Sequence, residues 1–186
     1  MTITSKHAEY SANIDAWVKV DDVCKGQKAI KDKGKIYLPK PITFSDDEYK
    51  EYLDRAVFYG VVGRTHKSNV GQAFNKLPDF KRPDDLEYLE RNSDGSGRSI
   101  YQNSQRALDL IQRHYRCGIY VDYPQVGPSR SRAEDKQKNA FPMIHVLNTK
   151  SVHDWDHIIV GNQKKLSFVK ILESVATRTA DGFGRE

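Results

Sequence analysis

The 186-residue sequence is poor in cysteine: it has only Cys24 and Cys117, and neither has a second cysteine at CxxC spacing. That scarcity argues against a disulfide framework or a cysteine-type zinc motif, and a reducing compartment is the simpler expectation. Long hydrophobic runs are missing as well. No stretch approaches the ~20 apolar residues that a membrane span requires, and the opening MTITSKHAEYSANIDAW has no apolar core of signal-peptide type. Synthesis and use in the cytosol, with no membrane partner, are expected. Neither sign of charge dominates, since 30 Lys and Arg stand against 25 Asp and Glu for a net charge of +5. Such a mixed surface permits contact with nucleic acid or an acidic partner without supplying a dedicated basic face. The length suffices for one good-sized core, so a single domain with appendages is expected.

Helical periodicity fills the first two thirds of the chain. Ile14, Trp17, Val20, Cys24 and Ile30 fall at steps of mostly three and four, which predicts a helix from Glu9 to about Lys31, ending near Gly34. Pro39 and Pro41 exclude its continuation and favour an extended crossing segment. Ser45 stands as N-cap before the acidic turn Asp46, Asp47, Glu48. The stripe from Tyr49 through Tyr52, Leu53, Ala56, Tyr59, Gly60, Gly63 and Val70 to Phe74 predicts one long helix over 46–76. Gly60 and Gly63 suggest a bend, a hinge or close helix packing. Pro78 and Pro83 enclose a linker, and Asp84 or Asp85 caps a short helix through Leu86 and Leu89. RNSDGSGRS is a turn by composition. Ser99 then opens a helix with Ile100, Ala107, Leu108, Ile111 and Tyr115 on one face, closed by Gly118.

Strand signals come last. In RCGIYVDYPQ, residues 116–125, Ile119, Val121 and Tyr123 alternate with Tyr120 and Asp122, and Pro124 stops the strand. Residues 125–139 are charged and almost free of apolar side chains, and read as an exposed mobile loop. FPMIHVLN predicts a second strand and TKSVHDW a turn or single helical turn. A hairpin follows, with one strand through Ile158 to Val160, a Gly-Asn turn, and a second strand from Leu166 to Val175. Helices first and strands last predict an α+β fold with a small, mainly antiparallel sheet.

Four constellations could carry chemistry. HDWDH, residues 153–157, gathers two imidazoles and two carboxylates, but on a strand His153 and His157 lie about 13 Å apart at ~3.3 Å per residue, too far to share a metal ion unless a turn at Trp155 brings them together. Polar surface around a half-buried Trp155 is the plainer reading. DGSGRS, with Arg98 before a helix, has features of a phosphate cradle but lacks the strand and lysine of a P-loop. Cys117 and His114 share a helical face without a third, orienting group, so Cys117 reads as a packed residue. Lys25, Lys28, Lys31, Lys33 and Lys35, and separately Arg130, Arg132, Lys136 and Lys138, could touch phosphates, with a solvated surface as the default. No catalytic, metal or cofactor set emerges, and an enzyme is not expected.

Several motifs in one order resemble a family of tailed-phage proteins regarded as portal-like. AWVKVDDVCKGQKAIKDKGKIYLPKP resembles the family's opening, a tryptophan helix followed by D…GQ.A.K…YLP, and contains Trp17 and Gly26. YLDRAVFYGVVGRTHKSNVGQAF, with Gly63 and Gly71, is followed by SDGSGRSI before a helix. RCGIYVDYP, with Gly118, Asp122 and Pro124, comes next, and then MIHVLNTKSVHDWDH, ending around Trp155. The resemblance covers nearly the whole chain. It implies a single portal-like wing domain over 1–186, part of a ring at one capsid vertex through which DNA is packaged and ejected. The stem and clip segments of such subunits lie beyond the match. Implied partners are further copies of the chain, the packaging terminase, capsid or scaffold and tail-connector proteins, and the passing DNA. The implied location is the virion, with the host cytoplasm during assembly. The named glycines, tryptophans, Asp122 and Pro124 would be scaffold, and Arg98 with the loop cations would contact DNA or a partner. The competing readings are a standalone nucleic-acid-binding module using the basic loop and, behind it, a small metal-dependent enzyme.

Overall fold

The computed structural model describes residues 4–124, 127, 131–138 and 140–173 and has the expected α+β class. Helix α1 (Ala8–Lys25) starts where the His7 ring accepts the Glu9 N–H at 3.2 Å. It stops at Gly26, whose φ of 91° lies in the region that favours glycine, and α2 (Gln27–Asp32) follows. The single helix expected to Lys31 is therefore two, with Gly26 as the joint. The prolines do not produce a long extended crossing. A 3-10 turn covers Gly34–Ile36, and a second turn is closed by the Phe44 N–H donating to Pro41 O at 3.1 Å.

The long helix expected over 46–76 is also two helices. Ser45 and Glu48 form a reciprocal capping box at the start of α3 (Asp46–Arg55), and α4 (Val61–Ala73) begins after an extended stretch. The break covers residues 56–60, where Val57, Phe58, Tyr59 and Gly60 are β-branched, aromatic and glycine residues with poor helix propensity. There the Phe58 N–H donates to the Gln27 side chain at 3.2 Å instead of to its own helix. The break lets α4 lie against α1: a Cβ at Gly63 would stand 2.6 Å from Cys24 O, whereas one at Gly71 would meet nothing within 4 Å. Of the two glycines expected to bend the helix or pack closely, close packing therefore holds for Gly63 and not for Gly60, where an added Cβ would also meet nothing within 4 Å.

Residues Asp84–Glu90 form a 3-10 helix whose N-cap position is Pro83 and not Asp84 or Asp85. Ser99 and Gln102 form a second capping box and start α5 (Ile100–His114). This helix ends at Tyr115, in the left-handed region at φ 64°, and not at Gly118. Tyr115 is 90% exposed and Ile111 44%, while Asn103, Leu110 and His114 are buried. The inward face of α5 is thus rotated from the expected apolar stripe and carries two polar side chains.

Strand β1 (Gly118–Asp122) pairs antiparallel with β2 (Met143–Leu147), Gly118 opposite Leu147 and Asp122 opposite Met143. Between them, α6 (Arg132–Gln137) occupies part of the segment expected to be a loop. A 3-10 turn over Thr149–Ser151 leads into β3 (Val152–Val160), so His153, Asp154 and Trp155 are strand residues and not a turn. The expected two-residue turn at Gly161 and Asn162 joins β3 to β4 (Gln163–Ile171), and the expected end of that strand at Val175 lies outside the described residues. Register shifts leave His153 and Ser167 as bulge residues. The buried apolar core comprises Tyr10, Trp17, Ile30, Tyr49, Val70, Leu89, Leu110, Ala140 and Val146.

Candidate functional site

Asp21, on the inner face of α1, is 4% exposed and receives three cationic or protic groups. Lys150 Nζ approaches Oδ2 at 2.5 Å, and Arg113 Nη1 and His114 Nε2 approach Oδ1 at 2.7 and 3.0 Å. One helical turn before Arg113 on α5, Asp109 binds the same guanidinium and accepts from His66 Nε2 of α4 at 2.7 Å. Burial alone would raise the pKa of Asp21, but the surrounding Lys150, His114 and Arg113 outweigh it and hold the carboxyl below the usual range. Asp109 is lowered in the same way by His66 and Arg113. His114 goes the other way: burial pushes its pKa below that of an ordinary histidine despite Asp21. A carboxylate only accepts, so Nε2 carries the proton of the neutral ring, and Nδ1 is buried without a hydrogen-bond partner among the described residues.

An aromatic clamp adjoins this ion network. The Arg116 guanidinium, between α5 and β1, lies 5.2 Å from the Trp17 ring centroid and 3.9 Å from that of Trp155. His7 stacks on Trp155 at 3.9 Å and 22°, and the His7 N–H donates to His153 O at 2.9 Å. Ser5 Oγ donates to Asp154 Oδ2 at 2.8 Å, and Lys170 donates to Ser5 O. The two tryptophans singled out in the sequence therefore meet through one arginine, which ties the first helix to the base of the β3–β4 hairpin. The network's donors and acceptors are largely spent on one another, and the His114 side chain is fully buried. This arrangement suits a scaffold better than proton transfer to a substrate.

Most sequence candidates take structural partners. Arg98 Nη1 donates to Asp94 Oδ2 at 2.7 Å, and Asp94 Oδ1 accepts the Ser96 and Arg98 N–H groups. The amides that a phosphate would need are thus turned onto a carboxylate, which those same donors hold well below the usual range although burial opposes them. The turn is pinned inward as well, because Asn103 Nδ2 donates to Ser93 Oγ at 2.7 Å and to Ile144 O at 3.0 Å. In HDWDH, the His153 ring packs 4.8 Å from Tyr10, and no cluster of three metal-binding side chains occurs among the described residues. Cys117 and His114 do not form a dyad: His114 turns to Asp21, and Cys117 lines a groove with His157 and Leu166, its thiol pKa raised by burial. Lys31 donates to Asp54 O at 2.8 Å and Lys33 lies 3.8 Å from Asp22. Lys138 pairs with Glu134 at 2.7 Å; positions 132 and 136 belong to α6, and Arg130 lies outside the described residues. Asp122 accepts the Tyr123 N–H at 2.8 Å at the strand exit, as its place in the sequence suggests.

A surface feature stands out beside the network. Beyond Trp155 the β3–β4 hairpin is an arm in which residues 156–168 are all exposed. Ile158, Ile159, Val160, Leu166 and Phe168 range from 38% to 80% exposed. Pairing places Ile158 and Val160 beside Lys165 and Gln163 on one face, and His157 and Ile159 beside Leu166 and Lys164 on the other. Both faces of the arm therefore carry uncovered apolar side chains. The network was hidden in the sequence because Asp21 and Asp109 looked like ordinary helix-surface acids; the one signal was Asp21 standing four residues after Trp17, on the same helical face. Compared with known proteins, the chain matches no family model and no curated protein.

Proposed function

We propose that this chain is a structural subunit of a phage portal ring, contributing the wing region, and that it works by assembling with copies of itself and not by catalysis. The observation that carries the reading is the arm, with large apolar side chains exposed on both faces over residues 156–168. A lone two-stranded hairpin is marginal in water, and open strand edges invite another chain. An arm of this composition fits a subunit whose surface is completed by neighbours. The order of the motifs around Trp17, Gly63, Gly118 and Trp155, which resembles that of portal-like phage proteins, supports this particular assembly. The inward-turned ion network supports a rigid scaffold: Asp21, Asp109, Arg113 and Lys150 hold α1, α5 and the base of the arm together. In this reading DNA passes through the ring, and the packaging terminase, capsid or scaffold and tail-connector proteins dock on it.

Antibody labelling of particles from the natural source tests the reading. Gold at a single vertex per particle, with a closed ring in the native mass spectrum of the extracted protein, is the expected result. Label spread over the capsid, or none on particles, overturns it.

A further inference from the structure

The arm calls for a seat of complementary character, and the chain carries one. A groove of about 870 Å³ lies between the 3-10 helix Asp84–Glu90 and the start of β2, with Tyr88, Phe141, Met143 and Pro124 among its lining residues. The rings of Tyr88 and Phe141 stack at 4.7 Å and 21°, and Tyr88 Oη donates to Pro142 O at 2.8 Å, which fixes the aromatic floor. Asp84, Asp85 and Glu87, all exposed, also line the groove, against Arg91 as the one basic residue among its described lining residues. The arm has the opposite character. From His157 to Ser167 it contains no acid, Lys164 and Lys165 are both exposed, and Ile158 and Ile159 pair directly across from Lys165 and Lys164.

We infer that the arm of one copy docks in the acid-rimmed aromatic groove of a second copy, its apolar side chains on the Tyr88–Phe141 stack and its lysines on the carboxylates. This rests on the self-assembly proposed above and names its contact. A thirteen-residue arm exposed on both faces suits an interface of standard size, roughly 800 Å² per partner. Arm and groove are different patches of one surface, so the contact is head to tail. Repetition closes a ring or extends a filament and does not stop at a symmetric dimer.

Charge reversal of the full chain, read by native mass spectrometry over a concentration series, tests the inference. Wild type is expected to assemble beyond a dimer. K164E/K165E and D84K/E87K should each raise the midpoint concentration for assembly by about tenfold or more, because like charges then face each other. All four positions are exposed, so melting of the dilute monomer should not change. An equimolar mixture of the two variants should recover assembly in strict one-to-one alternation, since each arm again meets a groove of opposite sign only on the other variant. Wild-type assembly with both variants assembling normally, a symmetric dimer as end point, or a mixture without alternation overturns the docking mode and leaves self-assembly standing. A wild type that remains monomeric at every concentration overturns the self-assembly reading together with it.

Discussion

A methyl group added at Gly63 would stand 2.6 Å from the carbonyl oxygen of Cys24, whereas one added at Gly71, two turns further along α4, meets nothing within 4 Å. Gly63→Ala should force α1 and α4 apart and cost about 1–3 kcal/mol, read as a lower melting temperature. Gly71→Ala should gain about 0.5–1 kcal/mol by removing glycine from a helix interior. Gly63 lies on the apolar stripe and Gly71 does not, but the crowding at Gly63 is not legible locally, because the partner backbone belongs to a helix some forty residues before it. His114 makes a pH-dependent prediction. Burial holds its folded pKa below the ordinary value of 6.5 although Asp21 pulls it up and Arg113 and Lys150 push it down. The unfolded chain therefore binds a proton that the folded chain refuses. Stability from the neutral ring is fully present above pH 6.5 and is lost as pH falls from there toward the folded pKa. Thermal melts between pH 7.5 and 5 should show this decline, and His114→Gln, which keeps a donor for Asp21 and does not titrate, should flatten that part of the curve. An identical slope in the two proteins would remove His114 as its source.

At the level of elements, local signals were legible and their lengths were not. Ser45 and Ser99 start helices where their side chains can cap them, and the Gly161–Asn162 turn fixes the hairpin register, because each depends on four or so neighbouring residues. The apolar stripe over 46–76 runs on past the point where the backbone breaks, at 56–60, because a contact to Gln27 takes an amide from the helix there. The inward face of α5 differs from its apolar stripe for another reason: it is partly polar, and Asn103 and His114 are buried by partners on distant elements that periodicity cannot register. Gly118 has a different duty from the helix closure its position in the sequence suggests. Tyr115 ends α5, and Gly118 instead admits the side chains of Leu147 and Val152, whose atoms would lie 3.1–3.3 Å from an added Cβ. Gly118→Val adds two γ-methyl groups at that junction of β1, β2 and β3. It should cost about 1–3 kcal/mol, or roughly 2–4 °C of melting temperature per kcal/mol for a chain of this size. An unchanged melt would mean that Leu147 and Val152 can yield, and that the junction is looser than its spacing implies.

At the scale of the whole molecule, the accessible surface of 14034 Å² is far above the roughly 9,100 Å² of a compact monomer of 21.3 kDa. An excess remains after setting aside the roughly 3,600 Å² that the undescribed residues could expose as fully extended chain. The exposed arm contributes to it, and the physical consequence can be measured without knowing any partner. On that remainder, unfolding this chain as a monomer uncovers roughly 5–10% less new surface than unfolding a compact domain of equal length. Both the denaturant slope and the heat capacity of unfolding scale with that surface. For 186 residues an ordinary domain would show a heat capacity change of roughly 2.2–2.8 kcal/mol/K, and the dilute monomer should fall short by roughly 5–10%. Raising the protein concentration until copies associate should bring both quantities up toward the ordinary range, because the neighbour then covers what the chain alone leaves open. Calorimetry at two well-separated concentrations reads this directly. Ordinary values in the dilute sample would mean that the arm folds back onto its own body in solution, and the surface taken here for assembly would then be already covered.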